Sequence, residues 1–162
     1  MKILILILSL LIFNNTFAKE FGNETGLEIP RYVSLKSDDV NLRVGPSINY
    51  PIVLNYIIEN YPLMIVEEYQ DWRKVIDFKN NAGWIHKSLI KGNRFGIIVT
   101  NQNNFVKVYN TVAGKIIGEV EKGNIIELRK CKLKWCLIRI QNQYGWIEKI
   151  YIWGVNDDEV FK

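Results

Sequence analysis

The sequence predicts an all-β protein built from two small β-barrels in tandem, and three observations predict it. A tryptophan is followed eleven or twelve residues later by a second tryptophan sitting directly after a glycine, once as Trp72 with Gly83-Trp84 and again as Trp135 with Gly145-Trp146, so the chain carries a duplicated unit. Within each copy, short blocks rich in Val, Ile and aromatics are separated by Gly, Asn, Asp or Pro, the pattern of strands joined by turns. Helix signals are scarce. Five short strands with hairpin connections in a unit of about 60 residues hide their edges by closing on themselves, which makes a small barrel the natural solution.

Along the chain, Lys2 precedes an apolar run from Ile3 to Phe13, which gives way to Asn14-Asn15-Thr16-Phe17-Ala18. This is the pattern of a secretory signal peptide over residues 1–18, cleaved after Ala18. The run falls short of the roughly 20 residues of a membrane-spanning helix. No second long apolar run follows, so no integral membrane segment is expected once the signal is removed, and the expected location is periplasmic or extracellular. Residues 19–30 read as a flexible lead-in, residues 31–92 as the first barrel, residues 93–155 as the second and residues 156–162 as a C-terminal tail. The copies align block by block: Arg31-Tyr32-Val33 with Arg94-Phe95-Gly96-Ile97, Val40-Asn41-Leu42 with Val106-Lys107-Val108, and Tyr61 to Val66 with Gly123 to Leu128. Trp72 to Asp77 then aligns with Trp135 to Ile140, and Gly83-Trp84-Ile85 with Gly145-Trp146-Ile147. The connector, Lys91 to Arg94, is short and polar, so the two barrels are expected to touch.

Period two assigns faces. Val75, Ile85, Ile138 and Ile147 are the core positions, which turns Trp72, Trp84, Trp135 and Trp146 away from the core. With Tyr50 and His86 they are the candidate lining of an aromatic groove that stacks on a peptide or sugar. The competing reading has the tryptophans covering a barrel end or sealing the junction between copies.

Of the 21 basic residues one is Lys2, leaving 20 against 17 acidic and a net charge of +3 after cleavage. Basic and acidic residues alternate, unlike the concentrated stripe of a nucleic-acid binder. The one local excess, Arg129 to Lys134, reads as a hairpin tip. Cys131 and Cys136 are separated by four residues; if these form a hairpin loop, the cysteines stand opposite each other and are expected to form a disulfide. Two cysteines and the single His86, in the other copy, do not make a four-ligand zinc cage. The same separation argues against a thiol protease, whose nucleophile needs a neighbouring oriented histidine. Glu67-Glu68 and Asp157-Asp158 read as surface decoration. No catalytic residue, metal site or cofactor is expected.

Val40-Asn41-Leu42-Arg43-Val44-Gly45-Pro46-Ser47, Trp72-Arg73-Lys74-Val75 and Gly83-Trp84-Ile85-His86-Lys87-Ser88-Leu89 together resemble the bacterial SH3-like (SH3b) domain, with its N-x-R-x-G-P-S turn, W-x-x-V strand and G-W-V/I ending. The second copy is similar but diverged: it keeps Trp135-Cys136-Leu137-Ile138 and Gly145-Trp146-Ile147 and replaces the turn. The whole, down to Ile152-Trp153-Gly154-Val155, is similar to exported tandem proteins of unassigned function. The resemblance implies two tandem SH3-like, partly open β-barrels that are non-catalytic and bind cell-wall (peptidoglycan) peptides or an envelope protein. The alternative is a structural or assembly protein whose aromatic faces pack between repeats or against a partner. Within the turn, Gly45-Pro46 fixes a bend and Arg43 can bridge loop carbonyls. If one copy alone binds a ligand, the first, which keeps the turn, is the expected one. The sequence specifies neither the ligand nor the oligomeric state.

Overall fold

The computed structural model describes residues 20–101 and 103–162, and the expected signal peptide lies outside the described residues. A short hairpin of β1 (Glu20–Phe21) and β2 (Glu28–Ile29) comes first. The first domain follows as β3 (Arg31–Leu35), β4 (Val40–Arg43), β5 (Ile52–Tyr56), β6 (Pro62–Tyr69), β7 (Trp72–Ile76), β8 (Ala82–His86) and β9 (Ile90–Lys91). The second repeats the plan as β10 (Phe95–Ile98), β11 (Phe105–Tyr109), β12 (Ile116–Glu121), β13 (Ile125–Cys131), β14 (Trp135–Ile140), β15 (Gln143–Glu148) and β16 (Ile152–Trp153). A 3-10 turn precedes the last strand of each domain, at Lys87–Leu89 and Lys149–Tyr151.

Both domains are seven-stranded antiparallel sheets with the same circuit, β5-β4-β8-β7-β6-β3-β9 and β12-β11-β15-β14-β13-β10-β16. The outermost strands of each sheet do not pair with one another, so the domains are partly open rather than closed barrels. Each has its own core, with Val75 and Ile85 in the first and Ile138 and Ile147 in the second, as the strand periodicity predicts. The five expected strands recur in each copy, and the structure adds an edge strand (β5, β12) and a two-residue closing strand (β9, β16). β5 follows Pro51 and is largely solvent-facing. An edge strand with one free side tolerates neighbouring proline and needs no apolar alternation, so it leaves little trace in sequence.

Bulges interrupt equivalent ladders, between Ile65 and Glu67 on β6 and between Leu128 and Lys130 on β13. A bulge adds one residue and reverses the faces beyond it. Glu68 and Cys131 therefore point inward, opposite Arg73 and Cys136. The surface reading of Glu68 is thereby corrected: its residue is 6% exposed, and it accepts hydrogen bonds from Arg31 Nη2 at 2.7 Å, Thr25 Oγ1 at 2.8 Å and the backbone N–H groups of Glu24 and Thr25 at 3.0 and 2.8 Å. The same bonds correct the reading of residues 19–30, because the segment from Glu20 to Ile29 is docked as a hairpin on this buried carboxylate.

In the second domain Cys131 and Cys136 form the expected disulfide, with Cα atoms 4.1 Å apart. The Cys131 N–H and C=O both bond to Phe161 instead of to Cys136, so the cysteines occupy a non-hydrogen-bonded pair, where facing side chains come closest. The domains meet through aromatic rings: Trp153 lies 5.3 Å from Tyr32 and 6.4 Å from Phe78. Ser34 Oγ donates to the Asn93 carbonyl at 2.8 Å across the same junction.

Candidate functional site

The Gly-Trp pairs owe their glycines to close strand crossing. At Gly83 a Cβ would lie 2.6 Å from the Arg43 carbonyl oxygen, and at Gly145 it would strike Val108. Only glycine lets the neighbouring strand pass so near. The next residue then points to the opposite face, and that puts Trp84 and Trp146 on the outside of their sheets.

In the first domain, the outer face brings together most of the sequence-predicted residues. Trp72 and His86 are cross-strand partners whose rings meet edge to face at 5.4 Å. Trp84 pairs with Lys74 on β7 and with Arg43 on β4. Its indole has Tyr69 edge-on at 6.5 Å and the Lys74 ammonium 5.9 Å from the ring centre. Those neighbours leave Trp84 only 8% exposed, though it lies outside the core cluster, whereas Trp72 is half-buried. His86 Nδ1 shares a hydrogen bond with Ser88 Oγ at 2.8 Å. Tyr50 sits apart from the rings, in the Val44–Pro51 loop. Arg43 Nη1 donates to its carbonyl at 2.8 Å, and its ring fills the space over Gly45. The Arg43 bond is the carbonyl bridge expected of the turn motif.

In the second domain, Trp135 meets Tyr109 edge to face at 5.2 Å, and Tyr109 is the register partner of Trp146. The Lys132 ammonium, from the exposed hairpin tip, lies 5.2 Å from the Trp146 ring centre. Both tryptophans are half-buried. Each domain thus shows two tryptophans on its outer face, flanked by a further aromatic ring and by an ammonium group. Tyr69, Lys74, Tyr109 and Lys132 were missed in the sequence. Lys74 and Tyr109 were legible in retrospect, since Lys74 lies two positions from Trp72 on the same face and Tyr109 is the counterpart of Arg43.

Beside this face the second domain opens a cavity of about 480 Å³, lined among others by Phe105, Lys107, Tyr109, Glu148, Ile150 and Tyr151. Trp135 is the register partner of Glu148, as Trp72 is of His86, so the cavity adjoins the aromatic face. The cysteine sulfurs are bonded to each other in the second domain and His86 belongs to the first, so no cysteine–histidine pair forms. Among the described residues, no helix is long and apolar enough to cross a membrane.

Two seven-stranded antiparallel sheets with one circuit define a tandem of small β domains. The bacterial SH3 domain family matches residues 36–92 and 111–154, more than half of the chain, and the chain belongs to that family. No curated protein matches it in sequence. It is similar to a solved NlpC/P60 family protein from Bacillus cereus, with 13% identity, a TM-score of 0.32, and coverage of 75% of this chain and 55% of that one. It is also similar to NlpC2 from Trichomonas vaginalis, with 16% identity, a TM-score of 0.33, and coverage of 76% and 48%. NlpC1 from the same organism gives 14% identity, a TM-score of 0.33, and coverage of 76% and 45%. The chain spans about half the length of these structures.

Proposed function

We propose that the chain is an exported, non-catalytic module that binds cell-wall peptides through the aromatic outer faces of its two domains. The observation that carries this reading is where the tryptophans are spent. Among the described residues, the ring contacts between domains come from Tyr32, Phe78 and Trp153, and Trp72, Trp84, Trp135 and Trp146 take no part in them. Trp84 is itself buried, whereas Trp72, Trp135 and Trp146 are half-buried and lie outside both core clusters and the junction. Half-buried aromatics with an ammonium group nearby, as Lys132 is to Trp146, are suited to stacking on a ligand while pairing with its carboxylates. Membership of a family of binding domains supports the reading, and the disulfide supports an oxidising location.

The test is a fluorescence titration of the chain with soluble wall fragments, using the tryptophans as reporters. A saturable change in emission is expected, and Trp72→Ala and Trp135→Ala should each weaken it at unchanged thermal stability. A flat titration, or variants that alter stability alone, would remove the proposal.

A further inference from the structure

The two edge strands send different side chains inward. Leu54 and Tyr56 on β5 are the register partners of Leu42 and Val40 on β4, and Gly118 and Val120 on β12 are those of Val108 and Val106 on β11. Gly118 therefore stands where the first domain has Leu54, and Val120 where it has Tyr56. On β7 and β14, Val75 opposite Gly83 matches Ile138 opposite Gly145, which makes Ile140 the counterpart of Asp77.

In the first domain this end of the core is filled by the chain itself. Tyr56 is 7% exposed, its ring lies 5.2 Å from that of Tyr61, and its hydroxyl donates to Asp77 Oδ2 at 3.2 Å. Leu54 packs on the same core. In the second domain both side chains are cut back. Cross-strand partners share a face, so Gly118 turns the same way as Val108, which packs on the second core. A Cβ at Gly118 would meet no atom beyond its chain neighbours within 4 Å. A pocket of about 230 Å³ occupies this place, along Val108, Gly118, Val120, Ile138 and Ile140.

The pocket is apolar where the first domain is polar. Ile140 puts methyl groups where Asp77 holds the carboxylate that receives the Tyr56 hydroxyl. Gln141 and Gln143 add uncharged amides at the β14–β15 turn. Glu119, the one charged residue along the pocket, lies between inward-facing Gly118 and Val120 and so turns to the other face of β12. An apolar space of roughly 150 Å³ already holds benzene.

We propose that this pocket binds a phenyl group, the ring taking the place that the Tyr56 side chain holds in the first domain. With Ile140 in place of Asp77 the phenolic hydroxyl has lost its acceptor, so the ring that fits is unsubstituted there. The site opens on the inward face, away from the tryptophans, and does not depend on their binding the wall.

The experiment is a titration of the chain, with carbon-13-labelled Ile, Leu and Val methyl groups, with toluene and separately with N-acetylphenylalanine amide. Toluene should shift the methyl resonances of Val108, Val120, Ile138 and Ile140 saturably and leave those of Leu42, Leu54 and Val75 in place. Parallel shifts with N-acetylphenylalanine amide assign the phenyl group to a peptide side chain, and shifts with toluene alone assign it to a small aromatic molecule; both support the site. Gly118→Leu, which restores the residue of the first domain, should weaken toluene binding about tenfold or more by filling the space. Gly118→Val makes the same test with a smaller addition if the methyl spectrum shows the leucine variant to be unfolded. No saturable shift with toluene, equal shifts in the first domain, or a folded Gly118 variant that binds toluene like the parent would overturn the proposal.

Discussion

Glu68 and Arg73 face each other across β6 and β7, and Cys131 and Cys136 face each other across β13 and β14, at the same place in the two circuits. Both pairs lie just beyond a bulge and are buried, and both fasten a terminal segment. Glu68 receives the N–H groups of Glu24 and Thr25 from the N-terminal hairpin, while the Cys131 backbone pairs with Phe161 near the C-terminus. The difference teaches that the scaffold demands a cross-strand fastening where a terminal segment docks but leaves its chemistry open. In one copy the fastening is ionic and sensitive to protons; in the other it is covalent and sensitive to reductant.

The largest test of this comparison is Glu68→Ala. It leaves the Arg31 and Arg73 guanidinium groups beside an empty buried site, and breaking a buried pair from one side costs about 3–5 kcal/mol. Urea unfolding should show that loss in the first domain alone, with new proteolytic cleavage within residues 20–29; an unchanged midpoint would break the claim that Glu68 is the fastening. Acid gives the same comparison without mutation. Burial alone would raise the Glu68 pKa, but hydrogen bonds from Arg31, from the Thr25 side chain and from the Thr25 and Glu24 backbone outweigh it and lower the value from 4.5 to about 2. A depressed carboxylate stabilises the fold above its unfolded pKa and loses that contribution as pH falls through the folded one. Roughly 3 kcal/mol of first-domain stability should therefore disappear between about pH 4.5 and pH 2, and Glu68→Gln should flatten that dependence.

Replacing both cysteines, Cys131→Ala with Cys136→Ala, should cost the second domain about 2 kcal/mol, since the closed loop is short. Denaturation should show the first domain unmoved, and an equal loss in both domains would show that the two fastenings are coupled. The smallest effect belongs to the outer face. Lys74→Ala removes an exposed ion pair with Glu67 and should change the melting free energy by less than about 0.5 kcal/mol. A loss of several times that would mark the face as structural.

The duplicated Trp and Gly-Trp spacing made the architecture legible, because a glycine forced by strand crossing and a tryptophan forced outward by the pleat leave a signature that survives divergence. Core positions such as Val75 and Ile138 followed from alternation. What alternation does not carry is a bulge: beyond Val66 and Arg129 the faces reverse, so Glu68 reads as a surface acid although it anchors the N-terminal hairpin. Cys131 escaped that error only because its partner is recognisable by chemistry. The cavity was hidden for a related reason, since Lys107, Glu148 and Tyr151 come from separate elements and converge only when β11 crosses β15. Tyr50, singled out for a groove, instead fills the turn over Gly45.

The central claim, that the outer aromatic faces bind the cell wall, is tested most directly by sedimentation of the chain with purified, insoluble wall material. The account predicts that the chain pellets with the wall and that a Trp72→Ala and Trp135→Ala double variant, folded by near-ultraviolet circular dichroism, stays at least about tenfold more in the supernatant. A chain that does not pellet, or a folded double variant that pellets like the parent, would contradict it.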